Sequence, residues 1–214
     1  MNNNDLYREA RGVMTQFLPL TEEHLAQIQD SISFQELADE LSCQGLNISN
    51  VVHDPSRQLF NTYYADYDRG LYSSIMLCRE HFSQVLSTLL QPVAAFYGEL
   101  APELANKEWD AYYAFRVPLP MAIYDFQRRY RDIPTNETFS VWYSIYKRID
   151  YSNNMWLPEV LDYVFSQAPP PNFPPSDSDG LITIYRGMGE LSTPPEQAIS
   201  WSTHPGNALW FANH

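Results

Sequence analysis

The sequence predicts an α+β chain: a mainly α-helical domain over residues 1–167, a proline-rich linker over 168–180, and the first strands of a β-sheet over 181–214. Three observations point to this. Leu71, Ile75, Cys78, Phe82, Val85 and Leu89 alternate steps of four and three, which is one face of a helix. Ala168-Pro169-Pro170-Pro171-Asn172-Phe173-Pro174-Pro175 is stiff and extended, because proline fixes its own φ and restricts the residue before it. Leu181-Ile182-Thr183-Ile184-Tyr185 is apolar and β-branched, the composition of a strand.

Taken in order, Leu6, Ala10, Val13 and Phe17 lie on one helical face. Thr21 caps a second helix that carries Glu22 and Glu23 in its first turn. Ser33 and Glu36 form a capping box ahead of Leu37 and Leu41. Residues 44–68, with Gly45, Pro55 and Tyr63-Tyr64-Ala65-Asp66-Tyr67, read mostly as loop. The striped helix from Leu71 to Leu89 should pack on another helix and end near Pro92. Met121 to Tyr130 is opened by Pro118 and Pro120, and Arg128, Arg129 and Arg131 complement its C-terminus. Glu137 to Arg148 presents Phe139, Trp142, Ile145 and Tyr146, and Pro158 to Phe165 is one more short helix. Ser176-Asp177-Ser178-Asp179-Gly180 is a turn-rich break. Beyond it, Arg186-Gly187-Met188-Gly189 ends the first strand and Ala198 to Ser202 forms a second. Thr203 then caps a helix that holds Ala208, Leu209, Phe211 and Ala212.

A net charge of -13 argues against free nucleic acid as a ligand, since a polyanion is repelled. Two cysteines make no disulfide framework. No apolar run is long enough to span a bilayer, and the first residues lack the basic and apolar regions of a signal peptide. The expected compartment is the cytoplasm, the chain's own or that of a target cell. His24 and His53-Asp54 lie on different segments without ligand spacing, and His204 and His214 are too far apart for a helical zinc pair, so no metal is expected.

The chemistry concentrates near the end. Arg186 closes an apolar strand, so its guanidinium should emerge at the strand's edge, where its donor fork suits phosphate or carboxylate. Gly187 has no side chain, which would let a flat ligand approach its backbone. On a strand, Ser200 and Ser202 share a face that can hold a ribose or an amide, and Trp201 on the other face would anchor in the core.

In this order and spacing, LITIYRGMGE followed by AISWSTHPGNALWFA resembles the arginine-serine-glutamate class of ADP-ribosyltransferases. The resemblance covers about residues 181–214 and implies the front of a split-sheet NAD-binding fold. Arg186 matches the arginine that braces NAD, Ser200 the motif serine, and Ser202 the third position of that motif. Gly187 falls where the backbone meets the nicotinamide amide, and Phe211 where a ring walls the nicotinamide. The implied reaction is glycosyl transfer from NAD, as substrate, to an unidentified acceptor. The nicotinamide–ribose bond breaks through an oxocarbenium-like state. The implied partners are NAD and a macromolecular acceptor or partner protein, and the character is toxin-like. The family's glutamate lies on a later strand. Glu190 and Glu196 sit between the two motifs and do not fill that place, so these residues alone should be inactive. Ile182, Ile184, Trp201, Leu209 and Phe211 should then expose apolar surface. The rival expectation is a non-catalytic helical interaction module or a degenerate pseudoenzyme, with Tyr63, Tyr64, Tyr67, Tyr112 and Tyr113 as an interface.

Overall fold

A computed structural model of the protein describes residues 17–28, 30–54, 62–77, 79, 90–91, 93–96, 98–149, 155–170, 174–189, 192 and 194–212. The architecture is α+β, with a four-stranded antiparallel sheet and helices. The chain divides into two units, Thr15–Asp150 and a second that takes in Tyr151–His214.

In the first unit, β1 (Leu18–Pro19), β2 (Val51–His53), β3 (Thr62–Asp66) and β4 (Leu71–Ile75) follow one another across the sheet in chain order. The region expected to be mainly helical therefore holds the sheet. The reason is local. Asp66 accepts the Arg69 amide at 3.1 Å, Gly70 takes φ +66°, and the chain reverses so that Leu71 pairs with Asp66 and Ile75 with Thr62. A spacing of four is also two strand periods, so Leu71 and Ile75 share a face in either conformation. Tyr72 on the opposite face is buried too, which hides the alternation a half-buried strand would show. The remainder of the expected helix (Cys78, Phe82, Val85, Leu89) lies outside the described residues, as do Leu6, Ala10 and Val13 of the first one.

Among the described residues, the helices of this unit include α1 (Glu22–Ala26), α2 (Phe34–Cys43), α3 (Pro102–Ala105), α4 (Trp109–Ala111), α5 (Leu119–Arg129) and α6 (Thr135–Tyr146). Thr21 caps α1, its hydroxyl accepting the His24 amide at 3.2 Å. Ser33 and Glu36 form both bonds of the capping box of α2. Arg79 grips Glu36 through both guanidinium nitrogens, at 2.9 and 3.1 Å. That grip, with the Ser33 amide and hydroxyl, holds the Glu36 carboxyl down to about 2.

The core is aromatic. A turn of π-helix, Tyr112–Arg116, continues α4 and turns Tyr112 and Tyr113 inward, both essentially unexposed. Arg148 donates to the Tyr113 carbonyl at 2.9 Å and so ties this turn to the end of α6. Gly70 is doubly constrained, since a Cβ there would stand 2.7 Å from the Tyr112 hydroxyl and 2.9 Å from its ring. Tyr63 and Tyr64 are buried as well, so four of the five tyrosines expected at an interface are core residues and Tyr67 is half-buried.

Asp125 of α5 has no exposed surface. Its Oδ1 accepts the Tyr72 hydroxyl in a short bond and the Arg129 Nε at 3.1 Å. Arg129 also donates to the Tyr67 carbonyl, while Arg128 covers the Tyr67 ring at 5.0 Å. One carboxylate thus fastens the β3–β4 turn to α5.

In the second unit, α7 (Pro158–Ser166) buries Val160 and Val164, with Trp156 just before it. Asp177 closes a turn, its Oδ1 accepting the Asp179 and Leu181 amides at 3.0 and 2.8 Å. The two strands expected over 181–185 and 198–202 are reduced to a single antiparallel bridge, Tyr185 to Ser202. A two-stranded ribbon is marginal without a third strand or a covering layer. A helix α8 (Pro205–Ala212) ends the described chain.

Asp125→Ala should lower stability by about 3–5 kcal/mol, because it strands the Arg129 cation in a buried site. Tyr72→Phe should cost about 1–3 kcal/mol, the cost of an acceptor left short of one donor. Urea unfolding reads both as a lower midpoint at unchanged m.

Candidate functional site

The bridge that survives in the second unit joins the two sequence motifs. Tyr185 donates its amide to the Ser202 carbonyl at 2.7 Å, and Ser202 returns the bond at 2.9 Å. Residues that exchange both bonds face each other directly. Carried one residue further, this register sets Arg186 across from Trp201, and the Arg186 Cζ indeed lies 5.9 Å from the Trp201 ring centroid. A further step sets Gly187 across from Ser200. Side chains alternate, so Gly187, Ser200 and Ser202 share one face while Arg186 and Trp201 share the other.

The serine face is the one that α8 covers. A Cβ on Gly187 would stand 2.2 Å from the Ala208 carbonyl oxygen, 2.7 Å from the Ala212 nitrogen and 2.8 Å from the Phe211 Cβ. Gly187 is therefore glycine so that a helix can lie against it. The expected access for a flat ligand is taken at this point by α8.

Ser202 is spent locally. Its hydroxyl donates to the His204 carbonyl at 3.1 Å and accepts the His204 amide at 3.0 Å and the Asn207 side chain at 3.3 Å. His204 Nδ1 in turn accepts the Gly206 amide at 3.1 Å. Ser202 and His204 thus set the entry to α8, the task assigned from sequence to Thr203. Pro205 opens the helix, where its missing N–H costs nothing.

The remaining positions are open. Ser200 is exposed. Trp201 is 44% exposed, against the expectation of a core anchor, and its Nε1 donates to the Ala198 carbonyl at 3.2 Å. The Phe211 side chain is 67% exposed and meets Trp210 edge to face at 4.9 Å. Ile184 and Leu209 are exposed as expected, with Leu181, Tyr185 and Met188 beside them in sequence, whereas Ile182 is half-buried. The structure therefore brings Arg186, Gly187, Ser200 and Ser202 to one two-segment ribbon. It puts the arginine and the serines on opposite faces, so a ligand touching both must wrap the end of that ribbon. Glu196, on a short 3-10 turn at Pro195–Gln197, is exposed.

Two constellations of the first unit escape a reading of the sequence. The first is the cage around Asp125. Burial and the Asp125 charge raise Tyr72, Tyr112 and Tyr113 well above the ordinary tyrosine range. Burial works against the Arg129 cation, yet Asp125 and the tyrosines hold its pKa above the ordinary value. Neither the tyrosines nor the arginine can then exchange protons near neutrality. The cage's one sequence signal was a carboxylate on the otherwise apolar stripe of Met121, Ala122 and Phe126, four residues before an arginine.

The second constellation is His24 stacked on His53, ring centroids 3.6 Å apart. Nothing in the linear spacing shows it, because β1–β2 pairing creates it. Among the described residues no group of three or more His, Cys, Asp or Glu is placed to hold a metal ion, and no helix is long and apolar enough to cross a membrane. No protein-family model matches the chain, and comparison with curated proteins and with solved structures gives no significant match.

Gly187→Ala should detach α8 from the ribbon, at a cost of about 1–3 kcal/mol for an overpacked contact. Faster amide exchange over residues 205–212, with exchange in α5 unchanged, is the expected signature.

Proposed function

We propose that residues 181–212 are the arginine- and serine-bearing part of an NAD site of ADP-ribosyltransferase type, which transfers ADP-ribose from NAD to an acceptor. The observation that carries this reading is the reciprocal Tyr185–Ser202 backbone pairing, which makes neighbours of two motifs that the sequence separates.

On this reading Arg186 braces NAD at a phosphate or ribose oxygen. Stacking on Trp201 engages the face of the guanidinium, whereas its N–H donors lie in the plane of the group. Ser200, exposed at the open end of its segment, meets the nicotinamide ribose. Ser202 acts one step back, as a positioning residue that fixes the turn into α8 and with it the place of Phe211. Phe211 offers its ring to the nicotinamide. Cleavage of the nicotinamide–ribose bond builds positive charge on the ribose, which a carboxylate must stabilise. Glu196 is on the loop between the motifs, so the family's glutamate would come from outside residues 181–212.

A second reading rests on a different observation. Leu181, Ile184, Met188, Trp201, Leu209, Trp210 and Phe211 are all more than two-fifths exposed, which favours a non-catalytic module whose tail is covered by a protein partner.

Calorimetric titration of the chain with NAD separates the two. The NAD reading expects binding that weakens at least about tenfold in Arg186→Ala, the loss of one charge-assisted contact worth about 1.5–3 kcal/mol. A folded chain that takes up no NAD, or an Arg186→Ala variant that binds as well as the parent, moves the weight to the second reading.

A further inference from the structure

His24 and His53 come from α1 and β2 and meet ring on ring, 3.6 Å between centroids and 23° between planes. The pairing of β1 with β2 produces the contact. Leu18 stands opposite His53 and Pro19 opposite Val52, and the Leu20 amide then bonds the Val51 carbonyl at 2.9 Å. Thr21 caps α1 directly afterwards, so the first turn of that helix folds back over β2. With β1 two residues long and α1 five, this edge has few bonds of its own. Among the described residues, the ring stack, the buried Leu25 and the Ser31 hydroxyl bond to the Leu25 carbonyl hold α1.

The stack suits neutral rings. His53 is 6% exposed, and its Nδ1 has no hydrogen-bond partner among the described residues. A proton there would add a buried donor without an acceptor. A second proton on His24 would set two like charges face to face at ring-contact distance. Parallel rings also cannot aim their lone pairs at one metal ion, so metal binding does not account for the pair.

We infer that the His24–His53 stack is a pH-sensitive latch: it holds β1 and α1 on the edge of the sheet near neutrality and releases them on mild acidification. Among the described residues the charged groups around it are few. Asp54 follows His53 directly and is 4% exposed, α1 contributes the exposed Glu22 and Glu23, β1 contributes none, and β3 sets Thr62 opposite His53. Burial, then the neighbouring His24, lowers the pKa of His53 from its ordinary 6.5, and Asp54 and the Leu18 backbone only partly oppose this. The released form therefore binds the proton more tightly than the latched form. The latch's contribution is complete above pH 6.5 and is lost as pH falls from there through the folded-state value.

Amide exchange of the full chain, corrected for intrinsic rates, tests this between about pH 8 and pH 5. Opening of residues 18–27 should rise below pH 6.5, approaching about tenfold per pH unit for each proton taken up. Helix α2 is an internal control, since Glu36 stays ionised throughout that range. His24→Phe keeps a ring to stack and removes the neighbour that helps to lower His53, so the pH slope of this edge should weaken. Exchange of residues 18–27 that ignores pH, or a His24→Phe curve that overlays the parent's, overturns the latch. Should His24→Phe not fold, the imidazole proton resonances of the parent decide. A His53 midpoint below 6.5 that coincides with the loss of α1 protection supports the latch, and a midpoint at or above 6.5 overturns it.

Discussion

Asp125 presents a carboxylate to an interior from which water is excluded, and partners from two elements of the first unit converge on its Oδ1. A buried charge is tolerated only when it is paired and hydrogen-bonded. Arg129 supplies the pair from one turn along α5, and Tyr72 supplies a hydroxyl from β4. Both partners extend the constraint outward. Arg129 reaches the Tyr67 carbonyl, which fixes the β3–β4 turn, and the Arg69 carbonyl in that turn accepts the Ala101 amide at 2.8 Å ahead of α3. Tyr112 crowds the same turn so closely that residue 70 must be glycine. The sheet, the turn and two helices are thereby referred to one group, and an apolar residue at 125 would carry none of this register.

The second unit is governed by close approach. Gly187 lets α8 lie directly on the ribbon, and Ser202 with His204 determines where α8 begins. Together they fix the geometry of the segment that carries Arg186 and Ser200, although neither offers a group to a ligand in doing so. On the other face Arg186 rests over a Trp201 ring that is itself half in water. Leu181, Ile184, Leu209, Trp210 and Phe211 stay exposed along this unit.

Two constellations of the first unit also differ in how they meet protons. In the Asp125 cage, burial and the Asp125 charge raise Tyr72, while Asp125 and the tyrosines hold the Arg129 pKa up against the opposing effect of burial. The histidine stack is poised, because burial moves one imidazole downward from a value already close to neutrality. The cage secures the β3–β4 side of the sheet and the stack secures the β1–β2 side, so acidification can loosen one side while the other holds.

Local chemistry alone determined much of the chain. The Thr21 cap, the Ser33–Glu36 capping box, and helices near 119–129, 135–146 and 158–166 follow from side chains acting on backbone within a few residues. What tertiary structure decided was everything that needs a partner from elsewhere. Leu71–Ile75 became a strand because Thr62–Asp66 was available to pair with it, and their apolar spacing served helix and strand alike. The strands expected at 181–185 and 198–202 shrank to one bridge because two segments alone cannot sustain a ladder. Gly187 was read as an opening for a ligand and is closed by a helix, and His24 and His53 were read as unrelated and are stacked. In each case the side chain's meaning depended on a neighbour distant in sequence, and periodicity cannot encode which distant neighbour arrives.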